Sequence, residues 1–257
     1  MLYVKRYGSG SGALVAYHGW GGDYRTFEPI VPLLPFDTTL ISVDLPGYGQ
    51  SAPPSAWTIN SLTDALVDHI GQLQISRFTL LGNCSGAILA LLVAQRIEAQ
   101  VERLVLIDPF AYMPWYFSLF LNGEIGRKAY TLTFGTSVGR FVTNMALRHR
   151  RTDETNLTRS FESIDHRVVY QYLGLLGRIE GVDRFRGLTL PVDIVYGEKT
   201  FKAVKDSLPR WKQVLPQTRS HELAGAGHLP IEEATQALAN VLFMKASSKP
   251  LTRNPSR

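Results

Sequence analysis

The fold is decided by the stretch LLGNCSGA, from Leu80 to Ala87. An apolar run ends in Gly-x-Cys-x-Gly, and an apolar segment with helix-forming residues follows it directly. This pattern predicts a buried strand, a sharp turn with Cys84 at its apex, and a helix that starts at Ser85. The turn is so sharp that a larger side chain two positions before or after the apex would collide with the rest of the turn. Glycine is therefore expected at both positions. The strained residue at the apex then projects into a site beyond the strand end.

Cys84 is the only cysteine in the chain of 257 residues, so no internal disulfide can form. This absence is typical of a reducing compartment. At a helix N-terminus the dipole favours the thiolate, and we therefore interpret Cys84 as a nucleophile. One alternative is a buried structural cysteine. Another is Ser85 as the nucleophile, although it lies one position past the apex and its hydroxyl would point elsewhere.

Short apolar runs alternate with amphipathic stretches on both sides of this turn. Such alternation is typical of an α/β fold with a doubly wound, mostly parallel sheet covered by helices on both faces. The predicted strands are 13–19, 39–45, 78–83, 103–108, 192–197 and 220–225. The predicted helices lie near 24–34, 59–73, 85–98, 201–214 and 231–244.

One interval between predicted strands is much longer than the others. No strand pattern occurs from Phe110 to about Leu188, and a gap of that length is unlike an unstructured loop in a compact domain. We expect a mostly helical cap inserted into the core. The predicted organisation is a core formed by residues 1–109 and 189–244, a helical cap at 110–188 and a disordered basic tail at 245–257.

Composition restricts the classes of function. The formal net charge is +5, but four basic residues and no acidic residue lie in the predicted tail, so the charge is a weak argument for nucleic acid and we expect no nucleic-acid partner. No apolar run approaches the roughly 20 residues of a membrane span. The N-terminal residues lack the pattern of a secretory signal. We expect a cytoplasmic protein without a membrane span, and no cofactor or metal ion.

Three other predicted strand ends carry sequences of interest. Ligand sites in doubly wound sheets lie beyond the carboxyl ends of the strands. The turn HGWGG, from His18 to Gly22, leaves backbone N–H groups free for a developing oxyanion, and His18 is expected to shape it. The loop DLPGYGQS, at 44–51, is interpreted as structural. His228 in AGHLP follows the last strand and is the expected general base.

Together, LLGNCSGA, HGWGG, DLPGYGQS and GAGHLP resemble the α/β-hydrolase superfamily, in the branch with small esterases, haloalkane dehalogenases, epoxide hydrolases and C–C bond hydrolases. The resemblance implies an oxyanion hole formed by the N–H groups of Trp20 and Ser85, and a cap at about 110–188. Cys84 departs from this branch, because dehalogenases and epoxide hydrolases need an aspartate at that position. In this respect the chain is similar to dienelactone hydrolases and polyhydroxyalkanoate synthases.

The acidic member of the expected triad is a second departure from the family pattern. Many members place an aspartate where this chain has Thr200. Some members use an acid at the end of the strand after the nucleophile, and Asp108 occupies that position. We predict Asp108 as the acid, with Glu198 in reserve. The alternatives are that Asp108 caps a helix, and that a Cys–His dyad works without an acid.

These residues predict a hydrolase that acts on an ester, lactone or thioester through an acyl group on Cys84. The alternatives are an acyltransferase with the same Cys–His chemistry and a non-catalytic binding protein. The expected partner is a small acyl substrate, which coenzyme A or an acyl carrier protein could carry. The cluster Arg148–Arg151 could meet such a carrier, although a solvated helix face is favoured. Aromatic residues of the cap could line the pocket or pack the cap onto the core; they are Tyr112, Trp115, Tyr116, Phe117, Phe120, Tyr130, Phe134 and Phe141.

Overall fold

A computed structural model describes residues 1–179 and 181–243 of the chain. Its centre is a seven-stranded sheet in the order β1-β3-β2-β4-β5-β6-β7, in which β1 is antiparallel to β3 and every other pair is parallel. The strands are β1 (Val4–Tyr7), β2 (Gly12–Tyr17), β3 (Thr38–Val43), β4 (Phe78–Asn83), β5 (Val101–Ile107), β6 (Val192–Gly197) and β7 (Arg219–Leu223). The predicted α/β fold with a mostly parallel sheet is confirmed.

The first strand, β1, was not predicted from the sequence. Its four residues read VKRY and include two charged, exposed side chains. It lies at the edge of the sheet and pairs through its backbone with β3. Because an edge strand buries little of its surface, its sequence lacks the apolar run that marks the central parallel strands β2 to β6.

Nine α-helices occur in the described residues. They are α1 (Ile59–Leu73), α2 (Ser85–Ile97), α3 (Trp115–Ser118), α4 (Gly123–Tyr130), α5 (Ser137–Ala146), α6 (His166–Leu176), α7 (Lys202–Val214), α8 (Pro230–Glu233) and α9 (Thr235–Phe243). The stretch Tyr24–Leu33, predicted as a helix, is a 3-10 helix that contains Pro29 and Pro32. Proline has no N–H to donate and clashes with the preceding turn, which is unfavourable for a regular α-helix here.

The segment between β5 and β6 contains α3 to α6 and, within its described residues, no strand. Its position between two adjacent parallel strands makes it an insertion over the carboxyl end of the sheet. The proposed domain boundaries at 109/110 and 188/189 stay predictions. The predicted basic tail, 245–257, lies outside the described residues.

Two apolar layers hold the structure together, one on each face of the sheet. Helix α2 belongs to the larger layer, and all its residues from Ser85 to Ala94 are buried. This burial fixes the start of the helix, and with it the turn at Cys84, between the sheet and the cap. Within the described chain, none of the helices has both the length and the hydrophobicity needed to cross a bilayer.

Candidate active site

Cys84 lies at the apex of a sharp turn between β4 and α2. Its backbone has φ 51° and ψ −113°, and its N–H donates to the carbonyl of Ile107 at 2.7 Å. A Cβ atom at Gly82 would lie 2.5 Å from the Cα of Ala87, and one at Gly86 would lie 2.3 Å from the His18 carbonyl oxygen. Both glycines are therefore required sterically, as the sequence pattern predicts, and the turn holds the thiol in a fixed position.

His228 is in the loop after β7, with its imidazole between Asp108 and Cys84. Its Nδ1 is 2.7 Å from Asp108 Oδ2, and its ring is close enough to the Cys84 sulfur for that sulfur to raise the pKa of the imidazole. Because the Asp108 carboxylate occupies Nδ1, Nε2 is the ring nitrogen that is left to face the Cys84 sulfur. The ring packs edge-on against Phe201, with centroids 4.6 Å apart. These contacts fix both the position and the orientation of the imidazole.

The electrostatic environment of His228 favours its charged form. Burial by itself lowers the pKa of the imidazole, but the hydrogen bond to Asp108, the nearby Cys84 sulfur and the negative charge of Asp108 raise it to about 10. The site therefore favours the protonated imidazole over the neutral one. A cationic imidazole stabilises a neighbouring thiolate and can later donate its proton to a leaving group.

Asp108 follows the end of β5 and is completely buried. Besides His228, its carboxylate accepts hydrogen bonds from Thr200 Oγ1 at 2.6 Å and from the Gly197 N–H at 3.3 Å. Its φ is 47°, and the next helix begins only at Trp115, so it does not cap that helix. The structure thus brings Asp108 to the imidazole, and its role as the catalytic acid stays a prediction.

Glu198, the reserve acid, is exposed and turned away from the imidazole. Its Oε2 accepts a hydrogen bond from the Gly225 N–H at 2.7 Å. Thr200 is buried beside the site, with its Oγ1 3.1 Å from Nδ1 of His228. It donates to Asp108 and so orients the carboxylate, while its hydroxyl carries no charge that could stabilise an imidazolium.

The expected oxyanion hole is a pair of backbone N–H groups beside Cys84. The N–H of Ser85 is the first in α2 and has no acceptor within the helix. In the described part of the chain, no carbonyl accepts a hydrogen bond from the Trp20 N–H. Both groups are thus available to an oxygen atom bound at Cys84. Their role in catalysis stays a prediction.

An apolar pocket opens directly above Cys84. The cap and the core both contribute aliphatic and aromatic side chains to it. Among the described residues, no charged side chain lines the pocket. Lining residues include Trp20, Ile88, Phe110, Tyr112, Phe117, Leu173, Leu176, Val182 and Phe185.

Six of the eight aromatic residues predicted in the cap fall into three groups. Tyr112 and Phe117 line the pocket. Tyr130 and Phe134 pack against the indole of Trp20, whose Nε1 donates to the Val169 carbonyl at 2.9 Å. Two others, Trp115 and Phe141, are mostly exposed. The cap is therefore held on the core by aromatic packing around Trp20, and only part of its aromatic surface faces the pocket.

Two neighbouring groups have structural roles. His18 is buried, which lowers its pKa; its Nδ1 donates to the Gly19 carbonyl and its Nε2 accepts from the Leu45 N–H. These bonds shape the turn at 18–22. Buried Asp44 accepts from the N–H groups of Tyr24 and Gln50 and closes the loop at 44–51 on itself.

Glu233 contributes to the site, and the sequence reading assigned it no function. One carboxylate oxygen accepts from the Gly227 N–H, next to His228. The other accepts from the Thr152 N–H at 2.8 Å and from the Thr155 hydroxyl. Glu233 therefore joins the histidine loop to the cap. The only signal in the sequence is a glutamate five residues after His228.

The arginine cluster Arg148–Arg151 packs partly against the same loop. The carbonyl of Arg150 accepts a hydrogen bond from the His228 N–H at 2.8 Å. The guanidinium of Arg150 donates to the Thr200 carbonyl at 3.0 Å. Arg151 donates to the Thr152 carbonyl. Arg150 thus supports the site, the Arg151 side chain bonds to residues near it in sequence, and Arg148 and His149 are exposed.

A family model described as alpha/beta hydrolase fold matches residues 12–235, which is most of the chain. The chain belongs to the α/β-hydrolase fold family. This α/β-hydrolase is 27% identical over 263 residues to the pimeloyl-[acyl-carrier protein] methyl ester esterase of Aeromonas hydrophila, with 93% of this chain and 96% of that protein covered.

Two further comparisons show how far the likeness extends. The α/β-hydrolase is 31% identical over 104 residues to a serine hydrolase-like protein of Danio rerio; this covers 39% of the chain and about a third (32%) of that relative's length. Its fold is similar to the enol-lactonase of Burkholderia xenovorans LB400, with a TM-score of 0.72, 18% identity and 94% of each chain covered. The family match and the esterase relatives support the expectation of a hydrolase enzyme.

Proposed function

We propose that this α/β-hydrolase cleaves a carboxylic ester, with Cys84 as nucleophile, His228 as acid and base, and Asp108 as the triad acid. The observation that carries the proposal is the imidazole of His228, which hydrogen-bonds to Asp108 at 2.7 Å and lies beside the Cys84 sulfur at the apex of the turn. Nucleophile, base and orienting acid are the three groups that acyl transfer through a covalent enzyme requires.

In the first half-reaction the Cys84 thiolate attacks the ester carbonyl carbon. The carbonyl oxygen becomes an oxyanion, which the Trp20 and Ser85 N–H groups bind. When the tetrahedral intermediate collapses, the bond between carbon and the alcohol oxygen breaks. The imidazolium of His228 gives its Nε2 proton to that oxygen, and the alcohol leaves. The acyl group remains on sulfur as a thioester.

In the second half-reaction water replaces the alcohol. His228, now neutral, takes a proton from the water while the water oxygen attacks the thioester carbonyl. The C–S bond breaks, the carboxylic acid leaves, and the thiolate–imidazolium pair is restored. Asp108 stabilises the imidazolium in both half-reactions.

The pocket supports an apolar substrate. Because the described residues that line it carry no charge, the group that occupies it is expected to be an uncharged aliphatic or aromatic chain. The relative from Aeromonas hydrophila is named for a methyl ester on an acyl carrier protein. We therefore include an acyl chain carried on such a protein in the proposed substrate class, beside free esters and lactones.

The proposal is tested by the hydrolysis of p-nitrophenyl esters with acyl chains of two to twelve carbons. We expect turnover that rises with chain length while the chain fits the pocket. Cys84→Ala should lower kcat/KM by about 10³-fold or more, because no nucleophile remains. Cys84→Ser should also be strongly impaired, since a hydroxyl depends more on a well-placed base than a thiol does.

Ser85→Ala is the matched control, because it removes the neighbouring hydroxyl and keeps the backbone N–H. It should retain most of the activity. Activity that survives in Cys84→Ala and is lost in Ser85→Ala would contradict the proposal. A chain that transfers its acyl group to an added amine or alcohol faster than to water is an acyltransferase. A chain that binds the esters without turnover is a binding protein.

A further inference from the structure

The solvent-facing side of helix α5 is apolar. In most proteins the apolar side of a helix packs against the core instead. Val138, Phe141, Val142 and Met145 are spaced by three and four residues, which puts them on one side of the helix. They are between 46% and 71% exposed, and none of the residues of α5 is fully buried. In a helix that packs on a core, such a stripe would face the core. Here it faces solvent.

Further exposed apolar residues lie on neighbouring parts of the cap. Leu132 is on the turn that packs against both α4 and α5, and Ile125 is on α4; they are 65% and 82% exposed. In the described chain, the large apolar residues exposed outside the cap are Met1 and Phe36. The exposed apolar surface is therefore concentrated on one element of the fold.

The same segment is strongly basic. Residues 115–151 contain six lysines and arginines and one acidic residue, Glu124. Arg127, Lys128 and Arg148 are exposed. Among the residues that the structure describes, these three have no ion-pair partner. Apolar and cationic side chains are thus both exposed on this segment of the cap.

We propose that the cap docks on an anionic lipid surface through the stripe formed by Val138, Phe141, Val142 and Met145. Helices that lie in a membrane interface combine aromatic and aliphatic residues on one side with lysine and arginine around them. The apolar groups enter the boundary of the acyl chains, and the cations bind anionic headgroups.

Charge complementarity favours lipid over a second copy of the chain. A two-fold symmetric contact through the stripe would bring together two copies of a segment, 115–151, in which lysine and arginine outnumber acidic residues six to one. Like charges at short range oppose such a contact. An anionic bilayer instead neutralises them and also accepts the apolar side chains.

The experiment measures co-sedimentation of the full chain with vesicles, so its readout is independent of catalysis. Vesicles of phosphatidylcholine with one quarter phosphatidylglycerol should bind the protein, and vesicles of phosphatidylcholine alone should bind it much less. Phe141→Ser with Val142→Ser should weaken binding by about tenfold or more, because two inserted side chains are lost. Arg127→Gln with Lys128→Gln should weaken binding and reduce its dependence on salt.

Phe36→Ser is the matched control, since it removes an exposed aromatic residue outside the cap and should leave binding unchanged. Circular dichroism checks that each variant folds. Failure of the wild type to bind anionic vesicles would overturn the proposal, and so would an equal loss of binding in Phe36→Ser. A dimer that Phe141→Ser with Val142→Ser dissociates, without vesicle binding, would assign the stripe to a second copy. Binding of an acidic protein without vesicle binding would also overturn the proposal.

Discussion

Two fully buried carboxylates, Asp108 and Asp193, each hydrogen-bond to a histidine, but at opposite ends of the sheet. Asp193 is at the start of β6, where it also accepts from Arg103 and Arg219, each at 2.7 Å. Asp108 follows the end of the neighbouring strand β5. Within the described chain, its only partner that can carry a positive charge is His228.

The difference shows what each carboxylate can do. Burial works against ionisation of Asp193, but hydrogen bonds from Arg219, His221 and Arg103 hold its pKa below the usual range. Its charge is thus balanced locally by guanidinium groups. The charge of Asp108 acts instead on His228, whose pKa it helps to raise to about 10. The buried charge of Asp193 is compensated by arginines and contributes to stability. The buried charge of Asp108 is available to the imidazole of His228.

The largest expected effect is a loss of activity when Asp108, but not Asp193, is substituted. Asp108→Asn should lower kcat by about 10²-fold, because the imidazolium loses its stabilising charge. This is less than the roughly 10⁴-fold loss known for a serine triad, since a thiolate–imidazolium pair depends less on the acid. Adding Thr200→Asp should restore part of the activity, because position 200 also lies beside Nδ1. Unchanged kcat in Asp108→Asn would leave a Cys–His dyad as the better description.

Asp193→Asn should have the opposite profile. We expect the free energy of unfolding to fall by about 3 kcal/mol, because two arginines lose a buried partner. The folded fraction should keep its kcat. Urea denaturation measures the first quantity, and steady-state kinetics below the unfolding transition the second. A catalytic defect comparable to that of Asp108→Asn would contradict the division between the two ends.

The pH dependence of kcat/KM sharpens the comparison. His228 must be protonated to donate to the leaving group, so activity should fall as the pH rises through about 10, the pKa of His228. Asp108→Asn removes a group that raises this pKa and should move the alkaline limb to lower pH. Asp193→Asn should leave the pH of the alkaline decline in kcat/KM unchanged. An alkaline limb that stays in place in Asp108→Asn would show that another group controls it.

The smallest expected effect concerns Glu233, which joins the histidine loop to the cap. Glu233→Gln keeps the shape but exchanges a charged acceptor for an amide. We expect kcat to fall by about threefold to tenfold, because His228 is held less firmly. The neighbouring Glu232→Gln serves as the control and should have little effect on kcat. Equal effects of the two substitutions would argue against a specific role for Glu233.

The main features of the fold follow from sequence patterns because each central parallel strand contains a run of buried apolar residues. The site follows because the carboxyl ends of parallel strands meet at one edge of the sheet. This rule brings together Cys84, His228 and Asp108, which are far apart in the chain. Strand β1 escaped prediction because its four residues bury little surface at an edge.

Two features of the cap needed the structure. The contacts of Glu233 with Thr152 and Thr155 depend on how the cap lies on the core, which no local pattern specifies. The spacing of Val138, Phe141 and Val142 ordinarily indicates an inward face, whereas the structure shows the reverse. Periodicity identifies a helix and its apolar side, but it does not specify what that side contacts.

The central claim is that the acyl group is transferred to Cys84, and acid quenching during turnover of an activated ester tests it most directly. Peptide mass mapping of the quenched protein should find the acyl mass on the peptide with Cys84. The adduct should be absent in Cys84→Ala and should persist longer in His228→Gln, once formed, because water is then no longer activated. An acyl group mapped to Ser85, or turnover of the same ester by Cys84→Ala, would contradict the account.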